Sequence, residues 1–340
     1  MMALRLATLA LALALALCRP AAAAPKYVLR MATVAPDGTS WAREIRAFSR
    51  EVDTLSHGEV QVKWFFGGIA GDDVQVGERV RRGQLDGGAS GGMLCQQLAP
   101  SMRVMRVAGV FQNRDEGAYV LGRLAPTLEQ EFRQSGHVLL SLSGLGPEVV
   151  FSRQPVRTFD DLKRARLWRW DLDQLGLLSA RQLGMNVVAL PLEEAGRAFD
   201  EQRVDGFFAI PSAALAFQWF SRSLYLTDLH TSYLWGCAFI TARSFDRLPV
   251  EHQNLLRAAG AKLSARIEEA GRQLDDTLLG GLFEKQGVVR NPVSTALRND
   301  FLAAARVARD RLGEKLVPPQ LLQQVLAMLA DYRAEHRSAK

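Results

Sequence analysis

Tyr27-Val28-Leu29-Arg30-Met31-Ala32-Thr33-Val34 reads as a strand, and the segments that follow it decide the fold. Thr39 to Ser56 carries apolar residues at helical spacing, Val60 to Phe66 returns to strand character, Asp72 to Arg82 is helical again, and Gln84 to Ala89 reads as a buried strand. Strands separated by helical segments require parallel pairing with crossover helices, which is α/β architecture. The rhythm restarts at Arg166 with a short strand, a helix over Gln174 to Leu183, a strand over Asn186 to Leu190, a helix over Leu192 to Gln202 and a strand over Val204 to Phe208. Two such units in one chain predict two lobes with a cleft between them, because about 315 mature residues exceed what a single core usually holds. A third element is one helical segment from about Pro249 to Lys285, with proline suited to its first turn and Gly287 to its end. At 1.5 Å per residue it would be roughly 50 Å long, enough to cross both lobes. Gly260, Gly271 and Gly280-Gly281 are its expected kinks.

The chain opens with an address. Arg5 precedes an apolar run from Leu6 to Leu17, and Ala21 to Ala24 follow Arg19-Pro20. The run is too short to span a bilayer, and its small-residue end reads as a Sec signal peptide over residues 1–24, cleaved after Ala23 or Ala24. Cys18 raises the alternative of a lipid anchor, but the large Leu17 before it disfavours that chemistry. The expected location is the periplasm.

Removing Arg5 and Arg19 with the leader leaves 40 basic against 36 acidic residues, a net charge of +4. The charges are interspersed, and Arg79-Val80-Arg81-Arg82 and Lys163 to Arg169 are short and broken by apolar residues, so no nucleic-acid-binding stripe is present. Processing leaves Cys95 and Cys237, which form either one disulfide or two independent buried thiols.

A set of motifs then appears in a fixed order. Ala32-Thr33-Val34-Ala35-Pro36 with Thr39-Ser40-Trp41 marks the first strand-to-helix turn, Arg82-Gly83-Gln84-Leu85-Asp86 precedes the third strand, and Pro155 to Lys163 precedes the second-lobe strand. Leu183-Gly184, Pro191-Leu192-Glu193-Glu194, Val204-Asp205-Gly206 and Leu248-Pro249 follow. In these residues the chain resembles the extracytoplasmic solute-binding subunits of TRAP transporters, the DctP-like group. The resemblance implies a two-lobed periplasmic binding protein fold, with lobes joined by crossing strands and bridged by a long helix. It places lobe I at 25–147 plus about 236–268, and lobe II at 148–235 plus about 269–340. It also implies a ligand captured by hinge closure, delivery to a membrane permease, no cofactor, and in some relatives a tetratricopeptide-repeat periplasmic partner.

The family's usual selectivity device is a second-lobe arginine that grips the substrate carboxylate through its planar fork. The matching position here is Trp168, with Arg166 and Arg169 as neighbours; strand alternation puts Arg166 on the face of Trp168 and Arg169 opposite. A second basic position after the lobe crossing matches Glu148, and the polar position after Val-Asp-Gly has become Phe207-Phe208-Ala209-Ile210-Pro211. With Trp41, Ser90, Trp219 and Trp235 as further candidates, the cleft is expected to take a hydrophobic or aromatic ligand, or a cation facing Glu148. Each aromatic has the alternative fate of lobe core. An apolar ligand burying about 300 Å² would gain about 7 kcal/mol before association costs. The alternative ligand is an organic acid held by Arg166 or Arg169.

Gly88-Ala89-Ser90-Gly91-Gly92 also fits the nucleophile-elbow pattern of a serine hydrolase, with Asp205 or Asp228 and His230 or His252 to complete a triad. The same pattern describes any glycine-rich strand-to-helix turn, so the expectation is a binding protein rather than an enzyme. The five histidines form no paired zinc motif, and Asp171-Leu172-Asp173 lacks the rest of a calcium loop, so no metal is expected. Gly144-Leu145-Gly146 lacks the remainder of a dinucleotide fingerprint and reads as a tight lobe crossing. Leu321, Leu322, Val325, Leu326, Leu329 and Tyr332 form an amphipathic face suited to lobe packing or to a docking partner.

Overall fold

The computed structural model describes residues 24–313 and 316–337. The signal-peptide reading and Cys18 therefore lie outside the described residues.

Among the described residues nine strands form one mixed sheet: β1 (Tyr27–Ala32), β2 (Val60–Phe65), β3 (Gly87–Ser90), β4 (His137–Ser152), β5 (Leu167–Trp170), β6 (Val187–Leu190), β7 (Gly206–Ala209), β8 (Tyr225–Thr241) and β9 (Val289–Asn291). Their order is β2-β1-β3-β8-β4-β7-β5-β6, with β9 alongside β8. β2-β1-β3 and β7-β5-β6 are the two parallel sets that the alternating pattern predicts. The sequence reading did not delimit β4 and β8. These two long strands pair antiparallel with each other and with β7 and β3, fusing the two parallel sets into one sheet. Both are buried along most of their length, so they carry little of the polar alternation that marks a half-exposed strand. Register shifts interrupt their pairing between Gly144 and Gly146 and again between Glu148 and Val150. β4 and β8 thus each carry the chain from one half to the other.

The helices are α1 (Ser40–Leu55), α2 (Asp73–Arg81), α3 (Met93–Leu98), α4 (Arg114–Gln134), α5 (Phe159–Arg164), α6 (Gln174–Gln182), α7 (Ala195–Asp200), α8 (Pro211–Ala216), α9 (Ala242–Asp246), α10 (Val250–Thr277), α11 (Phe283–Lys285), α12 (Thr295–Arg309) and α13 (Pro319–Arg337). Local chemistry explains the starts that matter. Thr39 accepts a hydrogen bond from the Ala42 amide and so caps α1, which buries Ala42, Ile45, Phe48 and Val52 along one stripe. Asp72 with Gln75, and Thr158 with Asp161, form reciprocal capping boxes at α2 and α5.

α10 runs 28 residues and then breaks. A π-turn over Leu278–Leu282 with Gly281 at φ 122° separates it from α11, so the segment read as one helix to Lys285 is a long helix with a kinked tail. Leu256, Ala259, Leu263 and Ile267 of α10 pack on the β1–β2 half, while Leu274 and Leu278 meet the Phe151–Phe207–Phe283 core of the other half. Gly260 lets the helix lie directly on β4, since a Cβ there would sit 2.2 Å from the Leu140 carbonyl oxygen. Arg114 of α4 ties helix to crossing strand by donating to Gly144 O at 3.0 Å, Glu268 at 3.1 Å and Asp275 at 2.6 Å.

α13 packs on α4 in the core holding Phe132 and Phe239, with Val325 and Leu329 fully buried. The sequence reading assigned 269–340 to the second lobe; the C-terminal helix instead joins the first half, and its apolar face is spent on that packing. Cys95 of α3 and Cys237 of β8 are joined in a disulfide with Cα atoms 5.9 Å apart.

Candidate functional site

A cavity of about 180 Å³ lies where the carboxyl ends of both parallel strand sets converge. β1 contributes Thr33 to Ala35 just past its end, β3 contributes Ala89 and Ser90, β5 contributes Trp168, Arg169 and Trp170, and β7 contributes Phe208. This is the usual ligand position in open α/β sheets, because loops and helix starts diverge there and leave a crevice. Ser143, Leu145 and Glu148 of β4, Leu234, Gly236, Cys237 and Ala238 of β8, and Leu263 and Ile267 of α10 complete the wall with Trp41, Phe217 and Trp219.

The aromatic wall is a packed stack. Phe207 lies parallel to Trp219 at 5.0 Å, Trp219 to Phe217 at 5.2 Å, and Trp168 meets Trp219 at 5.0 Å. Trp168 fixes its ring by donating Nε1–H to Leu190 O at 3.1 Å. Among the sequence candidates, Trp41, Ser90, Glu148, Trp168, Phe208 and Trp219 border the cavity. Phe207, Pro211 and Trp235 stand behind it: Phe207 is wholly buried in the second-half core, Pro211 opens α8, and Trp235 packs against Phe111 and Gly117. For the two aromatics, Phe207 and Trp235, the core alternative describes their placement.

The charged groups correct the expected electrostatics. Arg169 borders the cavity although Trp168, on the opposite strand face, does so too, because the pocket wraps around the end of β5. Arg169 Nη1 donates to Glu148 at 3.1 Å and to Asp173 at 2.9 Å, and its guanidinium lies 4.5 Å over the Phe208 ring. Arg106 Nη2 donates to Asp173 at 2.9 Å and to Glu148 at 3.4 Å. Ser232 donates its hydroxyl to the other Glu148 oxygen. All four charged side chains are buried, and the quartet of two cations and two anions is neutral as a unit. Burial pushes the Asp173 carboxyl up, but Arg106 and Arg169 outweigh it and hold the group below the usual carboxylate range. Glu148 is therefore not an unpaired carboxylate facing the cleft.

Arg166 does not reach the site. It sits at the exposed start of β5 and is bound to Asp205 at 2.7 and 3.0 Å. Arg106 and Asp173 belong to the site without having been candidates: Arg106 ends a short 3-10 helix with no motif, and Asp173, seen only as half of a failed calcium loop, also caps α6 through the Gly176 amide. The helix residues Leu263 and Ile267 were hidden because their apolar spacing is that of ordinary core.

The hydrolase reading lacks its geometry. Ser90 donates to the buried Asp73 at 2.6 Å and accepts from the Gly92 amide at 3.1 Å, which fixes the glycine-rich turn. His230 is held by Asp228 and Tyr233, each at 2.9 Å, and His252 by Glu59 at 3.1 Å. Asp205 is committed to Arg166. Among the described residues no group of three or more His, Cys, Asp or Glu is placed to hold a metal ion.

The family model of DctP, bacterial extracellular solute-binding protein, family 7, matches residues 31–315. An uncharacterized protein of Haemophilus influenzae (strain ATCC 51907 / DSM 11121 / KW20 / Rd) is 23% identical over 273 residues, covering 79% of this chain and 81% of its own. The sugar acid binding protein DctPAm from Advenella mimigardefordensis, crystallised with galactonate, superposes with a TM-score of 0.83 at 21% identity, covering 91% of this chain and 99% of its own. A TRAP periplasmic solute binding protein from Haemophilus influenzae with bound L-gulonate gives a TM-score of 0.82 at 19% identity, covering 90% and 99%.

Proposed function

The chain belongs to the bacterial extracellular solute-binding protein family 7, the DctP family, and is a solute-binding protein rather than an enzyme; from that premise we propose that it captures a compact, uncharged, largely aromatic or apolar molecule in the periplasm and hands it to a TRAP-type membrane permease. Capture is by closure of the two halves about β4 and β8, and release by their reopening. Two structural relatives hold the sugar acids galactonate and gulonate, and the departure from such ligands rests on one observation. Among the described residues, the cations bordering the cavity are Arg106 and Arg169, and both are bonded to Glu148 and Asp173. An incoming carboxylate would bring a third anion to two arginines already matched by two, and only the unpartnered Nε–H groups of Arg106 and Arg169 would receive it without displacing Glu148 or Asp173. An apolar ring against Trp168, Trp219 and Phe217 meets no such cost. A cationic ligand is disfavoured by the same bonds, since Glu148 already accepts from Arg106, Arg169 and Ser232. The size supports a compact ligand over a lipid chain: an apolar cavity of about 150 Å³ holds a benzene-sized molecule.

The second reading, an organic acid bound by Arg169, is favoured by the presence of that arginine on the cavity wall. Mass spectrometry of what co-purifies with the mature protein separates the two. A small apolar molecule in near-stoichiometric amount in the organic extract supports the first; an organic acid in the aqueous extract removes it.

A further inference from the structure

The cavity is apolar but not featureless. Trp41, in the first turn of α1, borders it, and its indole Nε1–H is buried without a hydrogen-bond partner. An indole nitrogen can only donate, and a buried Trp N–H ordinarily finds an acceptor because leaving it bare forfeits its hydration. Trp64 and Trp235 also bury unpartnered N–H groups, but neither borders the cavity; Arg106 and Arg169 do border it and each leaves its Nε–H unpartnered, so Trp41 is the uncharged donor of this set. Trp41 also borders a second opening, shared with Pro36, Thr39, Ser212 and Leu274, so it stands between the cavity and that opening. The hydroxyl of Ser143, on a residue only 4% exposed, is a further polar group on the wall. Ser90 and Ser141 are already engaged, with Asp73 and Ser264.

We infer that Trp41 is the specificity-determining residue of this site, and that its ligand carries one uncharged hydrogen-bond acceptor, a carbonyl or ether oxygen, facing the Trp41 N–H while its ring lies against Trp168 and Trp219. This rests on the compact apolar reading above and narrows it from hydrocarbon to a neutral aromatic carbonyl or ether. The acceptor loses water on entry, a cost that only a donor inside the cavity can offset, and the Trp41 N–H is an uncharged donor with no other partner, beside the aromatic wall. Thr39 caps the helix that carries Trp41, so the ring is presented by a rigid turn.

The test uses three probes of one shape on the mature protein: acetophenone, ethylbenzene and benzoate. Trp41→Phe keeps an aromatic ring and deletes the donor. The ratio of acetophenone to ethylbenzene affinity is expected to fall about five- to tenfold in Trp41→Phe, the value of one neutral hydrogen bond. In the unsubstituted protein, the Trp41 indole N–H proton resonance, assigned through its nuclear Overhauser contacts, is expected to move downfield with acetophenone and not with ethylbenzene; this readout does not depend on the variant folding. Binding of both neutral probes with no selective shift and no change of ratio overturns the Trp41 assignment and leaves the apolar reading standing. Benzoate binding tighter than both neutral probes, or no binding of any of the three, overturns the apolar reading and this inference with it.

Discussion

Arg169 Nη1 lies 3.1 Å from Glu148 Oε1, with both side chains about nine-tenths buried on the wall of the cavity. The pair carries in one contact the two positions that a sequence reading treats separately, an arginine near the end of β5 and a carboxylate just past the crossing in β4. Each answers the other, and Asp173 and Arg106 close the set.

Replacing Glu148 by Gln keeps the shape of the side chain and removes one of the two anions. Arg169 then carries unmatched charge beside the cavity, so stability is expected to fall by about 1–3 kcal/mol in urea unfolding. The same variant should bind benzoate measurably better than the unsubstituted protein by calorimetry. Equal, weak benzoate binding in both would show that Glu148 is not what keeps acids out.

The Cys95–Cys237 bond joins residues 142 apart in sequence and so restricts a long loop of the unfolded chain. The Cys95→Ser, Cys237→Ser double variant is expected to lose about 2–5 kcal/mol of stability. Denaturation with and without a reductant checks this: an unchanged midpoint on reduction would mean the bond contributes nothing.

Burial pushes the Asp275 carboxyl up to about 7, against the pull of Arg114 2.6 Å away. Between the ordinary carboxylate value near 4 and about 7, the folded chain holds a proton that the unfolded chain has released. The stability that Asp275 contributes is therefore present below about pH 4, falls as pH rises towards about 7, and is level above it. Measured as the difference between the unsubstituted protein and Asp275→Asn, the effect is separated from Glu268, His230, Asp276 and the other nearby charges. A difference that stays flat over that range would refute the assignment.

Two glycines should respond oppositely to alanine. Gly260→Ala drives a methyl group against the Leu140 carbonyl and is expected to cost about 1–3 kcal/mol. Gly122, within α4, has open space where its Cβ would go, so Gly122→Ala should stabilise by about 0.5–1 kcal/mol. Melting temperatures shifted in the same direction would contradict the packing described here.

The sequence by itself determined the two α/β units, because alternation of period 2 and period 3.6 is local and survives in any stretch such as Tyr27–Phe66 or Leu167–Ala209. It also pointed to the long helix and to Gly260, Gly271 and Gly280-Gly281 as its weak points, since propensity acts residue by residue; the helix runs unbroken through Gly260 and Gly271 and breaks at Gly281. The motif order carried the family, which the match over residues 31–315 establishes. Only the tertiary structure decided that the two parallel sets are one sheet, because β4 and β8 are buried along most of their length and lack the polar alternation that would have announced them. It alone brought Arg106, Glu148, Arg169 and Asp173 into contact, from a 3-10 helix, a crossing strand, a second-half strand and a helix cap. Charge compensation acts over a few ångströms in space whatever the separation in sequence, so a carboxylate that reads as a repulsive wall in a one-dimensional register becomes, once folded, the partner of the arginine beside it.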